Sequence, residues 1–171
     1  LELLDKKKKD RVLELGCSSG FLTTHLGKCW AVDTSEKMLK IAKRKNPDAK
    51  VLKADMFDLP FRDSSFNKIV TMRVWNHLNR EDIRKAIREA KRVLKPKGYL
   101  IFDMEEKSSS RRIASLFYQL LFRPTGYKIY QYSLPQMKKI LDEEGFKIVE
   151  GRVLRHKVGR QIIIKTQLIK K

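Results

Sequence analysis

Cysteine is nearly absent. Cys17 and Cys29 are the only two, and neither belongs to a Cys-x-x-Cys pair or a Cys/His cluster. That argues against a disulfide framework and against a bound metal, and both residues are expected as buried thiols. No apolar run approaches the roughly 18 residues a bilayer-spanning helix needs, so no membrane contact is expected. The opening LELLDKKKKD lacks an apolar stretch followed by small residues, so no secretory leader is read there and a cytoplasmic location is expected. There is no Walker A loop, because no Gly-Lys-Ser/Thr follows the one glycine turn. Internal repeats and low-complexity segments are absent too. Acids are the scarce charge: 20 Asp and Glu face 39 Lys and Arg, a net charge of +19. Such an excess suits a nucleic-acid partner. It equally suits a heat-adapted surface, since charged residues make up 35% of the chain and no stretch forms a compact basic motif with interleaved aromatics.

What is present centres on VLELGCSSG, residues 12–20. Apolar residues run through an acid into a turn bounded by Gly16 and Gly20, and a helical pattern follows. The pattern reads as strand, tight turn, helix, with free backbone N–H groups facing a crevice at the carboxyl ends of a parallel sheet. GCSSG is not the GxGxxG dinucleotide fingerprint, which excludes a dinucleotide oxidoreductase of that type.

The 171 residues suffice for one domain with a full core, taken as 1–171, with 1–10 as a basic lead-in around Lys6 to Lys9. Strands are expected at 11–15, 29–33, 50–54, 67–72 and 99–103. Helices are expected after Thr34 and Ser35, which can cap, and over 81–94, where Ile83, Ala86, Ile87, Ala90, Val93 and Leu94 recur on one face and Pro96 and Gly98 close the run. A further helix is expected between the third and fourth strands. Residues 104–133 read as an insertion covering the substrate, with a helical pattern at 111–122 and tyrosines at 127, 130 and 132. A helix over 134–144 ends at Gly145, and strands at 146–154 and 161–169, joined by a short turn, must be antiparallel. Strands alternating with helices give an α/β class, a doubly wound, mostly parallel sheet.

In such a sheet the residues that finish strands one, two and three line one crevice, and here they are Glu14, Asp33 and Asp55. An acid ending the second strand can accept both hydroxyls of a ribose, and one ending the third can accept from an adenine amine. Either aspartate alone also reads as a cap for the turn after it. Three acids around one glycine turn favour the ligand.

The motifs ELGCSSG (14–20), AVDTSEKML (31–39), KADMFDLPF (53–61), SFNKIVTMRVWNHL (65–78) and RVLKPKGYLIF (92–102) resemble, in order and spacing, those of class I S-adenosylmethionine-dependent methyltransferases. The resemblance covers nearly the whole chain, SLPQMKKILDEEGFKIVE included. It implies a Rossmann-like seven-stranded sheet with the last strand antiparallel between the fifth and sixth. It implies S-adenosylmethionine as methyl donor, S-adenosylhomocysteine as product, and no metal. Gly16, Cys17, Ser18 and Gly20 would cradle the methionine part, with Glu14 supporting that end. Asp33 would hold the ribose hydroxyls beside Thr34 and Met38, Asp55 would bind the adenine amine, Met56 would pack on the ring, and the Arg73 backbone would touch the amino-acid end. Ser18 stands where many members have glycine, which requires ordinary dihedrals there. WNHL stands where relatives often have paired histidines.

Methyl transfer needs chiefly alignment, so a general base is optional. His77 is the candidate for that catalytic role, against a packing role in its loop. No [DNS]PP[YFW] signature follows the fourth strand and no Pro-Cys nucleophile is present, which counts against methylation of base amines and pyrimidine carbons. The expectation is a methyltransferase acting on a small molecule, with RNA as the alternative acceptor and a non-catalytic cofactor-binding module or partner subunit as the third reading.

Overall fold

Strand periodicity divides the work of the first strand. β1 (Val12–Leu15) is buried along its length, so successive residues serve opposite faces of the sheet. Leu13 and Leu15 pack into one core with Ile83, Ile87 and Val93, whereas Val12 packs with Leu4, Leu26 and Cys29 in another. Glu14, of the same parity as Val12, is thereby carried to the second face and buried there at 3% exposure.

The computed structural model describes residues 2–105, 130–156 and 159–170. A short 3₁₀ turn at Glu2–Leu4 precedes β1 and buries Leu3 and Leu4. α1 (Phe21–Leu26), β2 (Trp30–Asp33), α2 (Glu36–Lys45), β3 (Lys50–Lys53) and β4 (Phe66–Thr71) follow. After a 3₁₀ turn at Trp75–His77 come α3 (Arg80–Val93), β5 (Leu94–Glu105), α4 (Leu134–Glu143), β6 (Phe146–His156) and β7 (Gly159–Leu168). The seven strands run in the order β3-β2-β1-β4-β5-β7-β6. The β1–β2, β2–β3, β1–β4 and β4–β5 pairs are parallel, and β7 is antiparallel to both β5 and β6. This is the doubly wound, Rossmann-like sheet expected from the sequence, with its antiparallel strand inserted between the fifth and sixth.

The helices form where local chemistry starts and stops them. The Ser35 hydroxyl accepts from Met38 N at the head of α2, and Lys43, Arg44 and Lys45 sit in its last turn, where the helix dipole favours cations. Ser35, not Thr34, is the capping residue. The Asn79 side chain accepts from Glu81 N and Asp82 N to begin α3, whose buried stripe is Ile83, Ala86, Ile87, Ala90 and Val93. Ser133 and Gln136 make a reciprocal capping box at α4, and Gly145, at φ +86, follows its end.

Two expectations fail. No helix lies between β3 and β4: residues 54–65 form turns with one isolated Asp55–Asp58 bridge. Pro60 interrupts this segment and no apolar stripe repeats along it, so a side chain from elsewhere organises it. The Arg92 guanidinium donates to Leu59 O at 2.9 Å and Phe61 O at 2.7 Å, and pairs with Asp63 at 2.9 Å and Glu89 at 2.6 Å. Nor do Pro96 and Gly98 close α3 after a turn. Leu94 is already extended at φ −73, ψ 140, and β5 starts there, shifting register between the Phe66 and Lys68 pairings. A Cβ on Gly98 would lie 2.8 Å from Lys95 O, so the shifted stretch needs glycine. Most of the expected cover at 104–133, including the helical pattern at 111–122, lies outside the described residues.

The clamp generates a test. Arg92→Leu is expected to lower stability by about 1–3 kcal/mol, the range for lost charged hydrogen bonds. Amide exchange should accelerate selectively over residues 57–65, measured by mass spectrometry; uniform acceleration would assign Arg92 a general packing role.

Candidate functional site

The strand order reverses at β1 and β4, and in an open α/β sheet that switch point opens a crevice at the carboxyl ends. The crevice here is a cleft of about 630 Å³, within the range of small-molecule sites. Glu14, Gly16, Cys17, Ser18, Asp33, Thr34, Met56, Arg73 and His77 all line it. Nine of the sequence-derived positions are thus brought together. Gly20, Met38 and Asp55 are not among the residues that line it.

The β1–α1 turn is held by backbone bonds to β2. Gly16 N and Cys17 N both donate to Val32 O, at 2.9 and 3.0 Å. Gly16 sits at φ +70, and a Cβ there would come 2.5 Å from the Val74 Cγ2, so glycine admits the segment after β4 to the cleft wall. Gly20, at φ +80, turns its open side to α2: a Cβ would lie 2.5 Å from Asn46 Nδ2 and 2.9 Å from Ala42 Cα. This glycine serves close helix packing. Ser18 does not have the ordinary dihedrals its residue type requires; it is left-handed at φ +48. Its N–H donates to Asp33 Oδ2 at 2.8 Å, which holds the conformation.

Asp33 therefore braces the turn with one oxygen while Oδ1 accepts from Ser35 N at 2.9 Å. The capping role and the cleft-lining position coexist in one carboxylate. Glu14 is deeper. Its Oε2 accepts from the Thr23 hydroxyl at 2.7 Å, and burial pushes its carboxyl up to about 7; Thr23 opposes the rise and the Asp33 charge adds to it. No ion pair among the described residues uses either acid, so their charge is answered only by neutral donors. Asp55 turns Oδ1 to Phe57 N at 3.0 Å, while its neighbours Ala54 and Met56 face the cleft. Met38, half-buried on α2, gives its N–H to the Ser35 cap.

At the far wall Arg73 is also left-handed, at φ +60, and its N–H donates to Asp103 Oδ1 at 2.6 Å. Asp103 is buried at 5% exposure, takes a second bond from Gln161 Nε2, and has its carboxyl raised by burial. His77 closes the 3₁₀ turn beside Asn76 and Leu78, which also line the cleft. Burial pushes the Cys17 thiol up to about 12 and Cys29 to about 11, which removes both as nucleophiles near neutral pH. Among the described residues no cluster of three or more His, Cys, Asp or Glu could hold a metal.

Sequence reasoning missed Thr23, Asn46, Val74 and Asp103. Asp103 had a signal: it closes the strand expected at 99–103 as Asp33 closes the second, although β5 itself runs on to Glu105. Asn46, whose buried Nδ2 donates to Gly20 O at 3.1 Å and Ala42 O at 2.9 Å, could be read only as a helix stop.

A family model described as "Methyltransferase domain" matches residues 13–102, more than half the chain. MJ1252, an uncharacterised protein of Methanocaldococcus jannaschii, is 37% identical over 105 residues, covering 60% of this chain and 41% of its own length. A demethylmenaquinone methyltransferase of Thermotoga maritima is 25% identical over 173 residues, covering 86% of this chain and 75% of its own. The chain thus spans less than half of the first relative. Among solved structures, a SAM-dependent methyltransferase of Methanosarcina mazei superposes with a TM-score of 0.83 at 19% identity, over 97% of this chain and 95% of that one.

The Glu14 environment sets a pH signature. Between the ordinary carboxyl range and about 7 the folded chain keeps a proton that the unfolded chain releases, so this group's contribution to stability falls as pH rises through that window. Urea unfolding at pH 5 and pH 8 should show the parent losing up to about 3 kcal/mol more than Glu14→Gln. An equal loss in both proteins would mean that Glu14 is charged throughout.

Proposed function

The chain belongs to the class I S-adenosylmethionine-dependent methyltransferase family, and on that premise we propose that it transfers a methyl group from S-adenosylmethionine to a small-molecule acceptor. The observation that carries this reading is the pair of cleft carboxylates, Glu14 and Asp33, held by an N–H and hydroxyl set and, among the described residues, left out of salt bridges. A nucleoside bearing a sulfonium and an ammonium supplies the positive charge that two such acids lack. The residues present fit that ligand: Asp33 stands at the end of β2 for ribose hydroxyls, Met56 offers an apolar contact for a base, and Glu14 lies beneath the glycine-bounded turn.

When bound, S-adenosylmethionine supplies a methyl group on an already activated sulfonium carbon. What remains for the protein is alignment and exclusion of water, worth many orders of magnitude when reacting atoms are held in register. The braced turn, Asp33 and the Asp103-held backbone of Arg73 do the aligning. His77, at the rim, is the group to take a proton from an oxygen or nitrogen acceptor. Cys17, with its raised pKa, contributes backbone alone.

A small-molecule acceptor is supported by the Thermotoga relative, whose name gives demethylmenaquinone as its substrate. RNA is the second reading, supported by the net charge of +19; it predicts steeply salt-dependent binding as counterions are released. A cytoplasmic location is supported by two free, buried cysteines.

Calorimetry with S-adenosylmethionine and S-adenosylhomocysteine should give binding to the parent and a loss of about tenfold to a hundredfold in Asp33→Ala, the scale of a lost charged hydrogen bond. Labelled methyl transfer into cell extract, separated into metabolite, RNA and protein fractions, then identifies the acceptor. Label confined to RNA would overturn the small-molecule reading, and tight nucleoside binding with no labelled product would favour a non-catalytic module.

A further inference from the structure

Buried polar side-chain atoms in folded proteins nearly always have a partner, so the exceptions point to something that belongs there. Among the described residues the exceptions are Thr71 Oγ1, Trp75 Nε1 and Asn76 Oδ1. All three fall between the last residue of β4 and the 3₁₀ turn behind it. Trp75 is only 2% exposed, its indole stacked on Phe102 with centroids 4.4 Å apart.

Two of these residues wall a second cavity. It is small, about 10 Å³, and its other lining residues are Met104, Glu105, Tyr130, Tyr132 and Met137. Asn76 lines both this pocket and the large cleft. The chain that closes the pocket is fastened from outside: Tyr130 N donates to Asn76 O at 2.7 Å and the Tyr132 hydroxyl donates to Leu78 O at 2.9 Å. The space suits one polar atom, at the scale of a single water.

We propose that this pocket anchors a hydroxyl of the methyl acceptor, between the Asn76 amide and the Trp75 indole, so that the acceptor class is a neutral, hydroxyl-bearing apolar or aromatic molecule. The inference rests on the methyltransferase reading of the adjoining cleft. The chemistry of the two orphans selects the class. Asn76 Oδ1 only accepts and requires a donor; Trp75 Nε1–H only donates and requires an acceptor. A carboxylate satisfies the indole and leaves the amide oxygen unpaired, and an ammonium does the reverse. A hydroxyl satisfies both; the body that carries it lies in the large cleft, where Met72, Val74 and Leu78 offer apolar contacts, because the pocket itself holds a single polar atom. Sites built on buried hydrogen-bonding groups discriminate strongly against analogues that leave those groups unpaired.

The test uses the whole chain carrying Trp30→Phe, which leaves Trp75 as the single indole of the two tryptophans. The indole N–H resonance is followed while p-cresol, p-toluate and 4-methylbenzylammonium are titrated separately, with and without S-adenosylhomocysteine. The expected result is a downfield indole shift with p-cresol and affinity at least about tenfold above either charged analogue. Asn76→Leu should erase that preference, and Trp75→Phe, read by calorimetry, should erase it as well if the leucine variant fails to fold. Affinities equal within about threefold, or an indole resonance that p-cresol leaves unmoved, would overturn the proposal and assign the space to an internal water. Absence of S-adenosylhomocysteine binding would instead strike at the methyltransferase reading, with the nucleoside-free titration still deciding the pocket.

Discussion

One carboxylate fixes the geometry of the cleft. Asp33 accepts from Ser18 N with one oxygen and from Ser35 N with the other, so the β1–α1 turn and the head of α2 are tied to the end of a single strand. Remove it and Ser18 has no reason to stay left-handed, since that conformation is unfavourable for any residue with a Cβ. The turn also closes on β2 through Val32 O, and α2 closes on the turn through the Gly20 contact with Ala42 and Asn46. Turn, strand and helix make one unit around that side chain. The opposite wall repeats the device: Asp103, near the end of β5 and before Glu105, holds the left-handed Arg73 by its N–H. Strained backbone on both sides of the cleft is stabilised by buried or half-buried acids.

The deployment of acids follows the same economy. Asp10 pairs with Lys68, Glu36 with Lys53, Glu89 and Asp63 with Arg92, and Glu144 with Arg84 and Arg88. In a chain so short of negative charge, Glu14 and Asp33 stay out of such pairs among the described residues. Desolvation of Glu14 keeps its carboxyl ready to ionise when a cation arrives, whereas a salt-bridged acid would already have spent its field. Among the described residues the lysines and arginines lie mostly on the surface, including Lys37, Lys40, Lys43 and Arg44 along α2.

Much of this was legible in the order of residues. Alternating strand and helix patterns yield the parallel sheet, and acids at strand ends yield the cleft, because both depend on local periodicity and on one topological rule. Ser35 is a cap by residue type, whereas Asn79 and Ser133 emerge as caps only in the structure. The segment at 54–65 was not legible, since its order comes from Arg92, some thirty positions away in sequence, and long-range hydrogen bonds leave no local pattern. The start of β5 was misread for a related reason: Pro96 and Gly98 signal a turn, yet pairing of Leu94 with Phe66 extends the strand across them through a register shift. Ser18 shows the same limit at the site itself. Residue type favours ordinary dihedrals, and a carboxylate fifteen positions later overrides that preference.

The sheet ends at β3, four residues long, with Lys50 at its first position and Lys53 at its last. Lys50 lies over the Trp30 ring with its ammonium 5.0 Å from the centroid, and Lys53 reaches Glu36. A rim so brief and so cationic offers an approaching strand little ladder to pair with and a like charge to meet it. The molecule is therefore protected from fibrous self-assembly along this edge of the sheet.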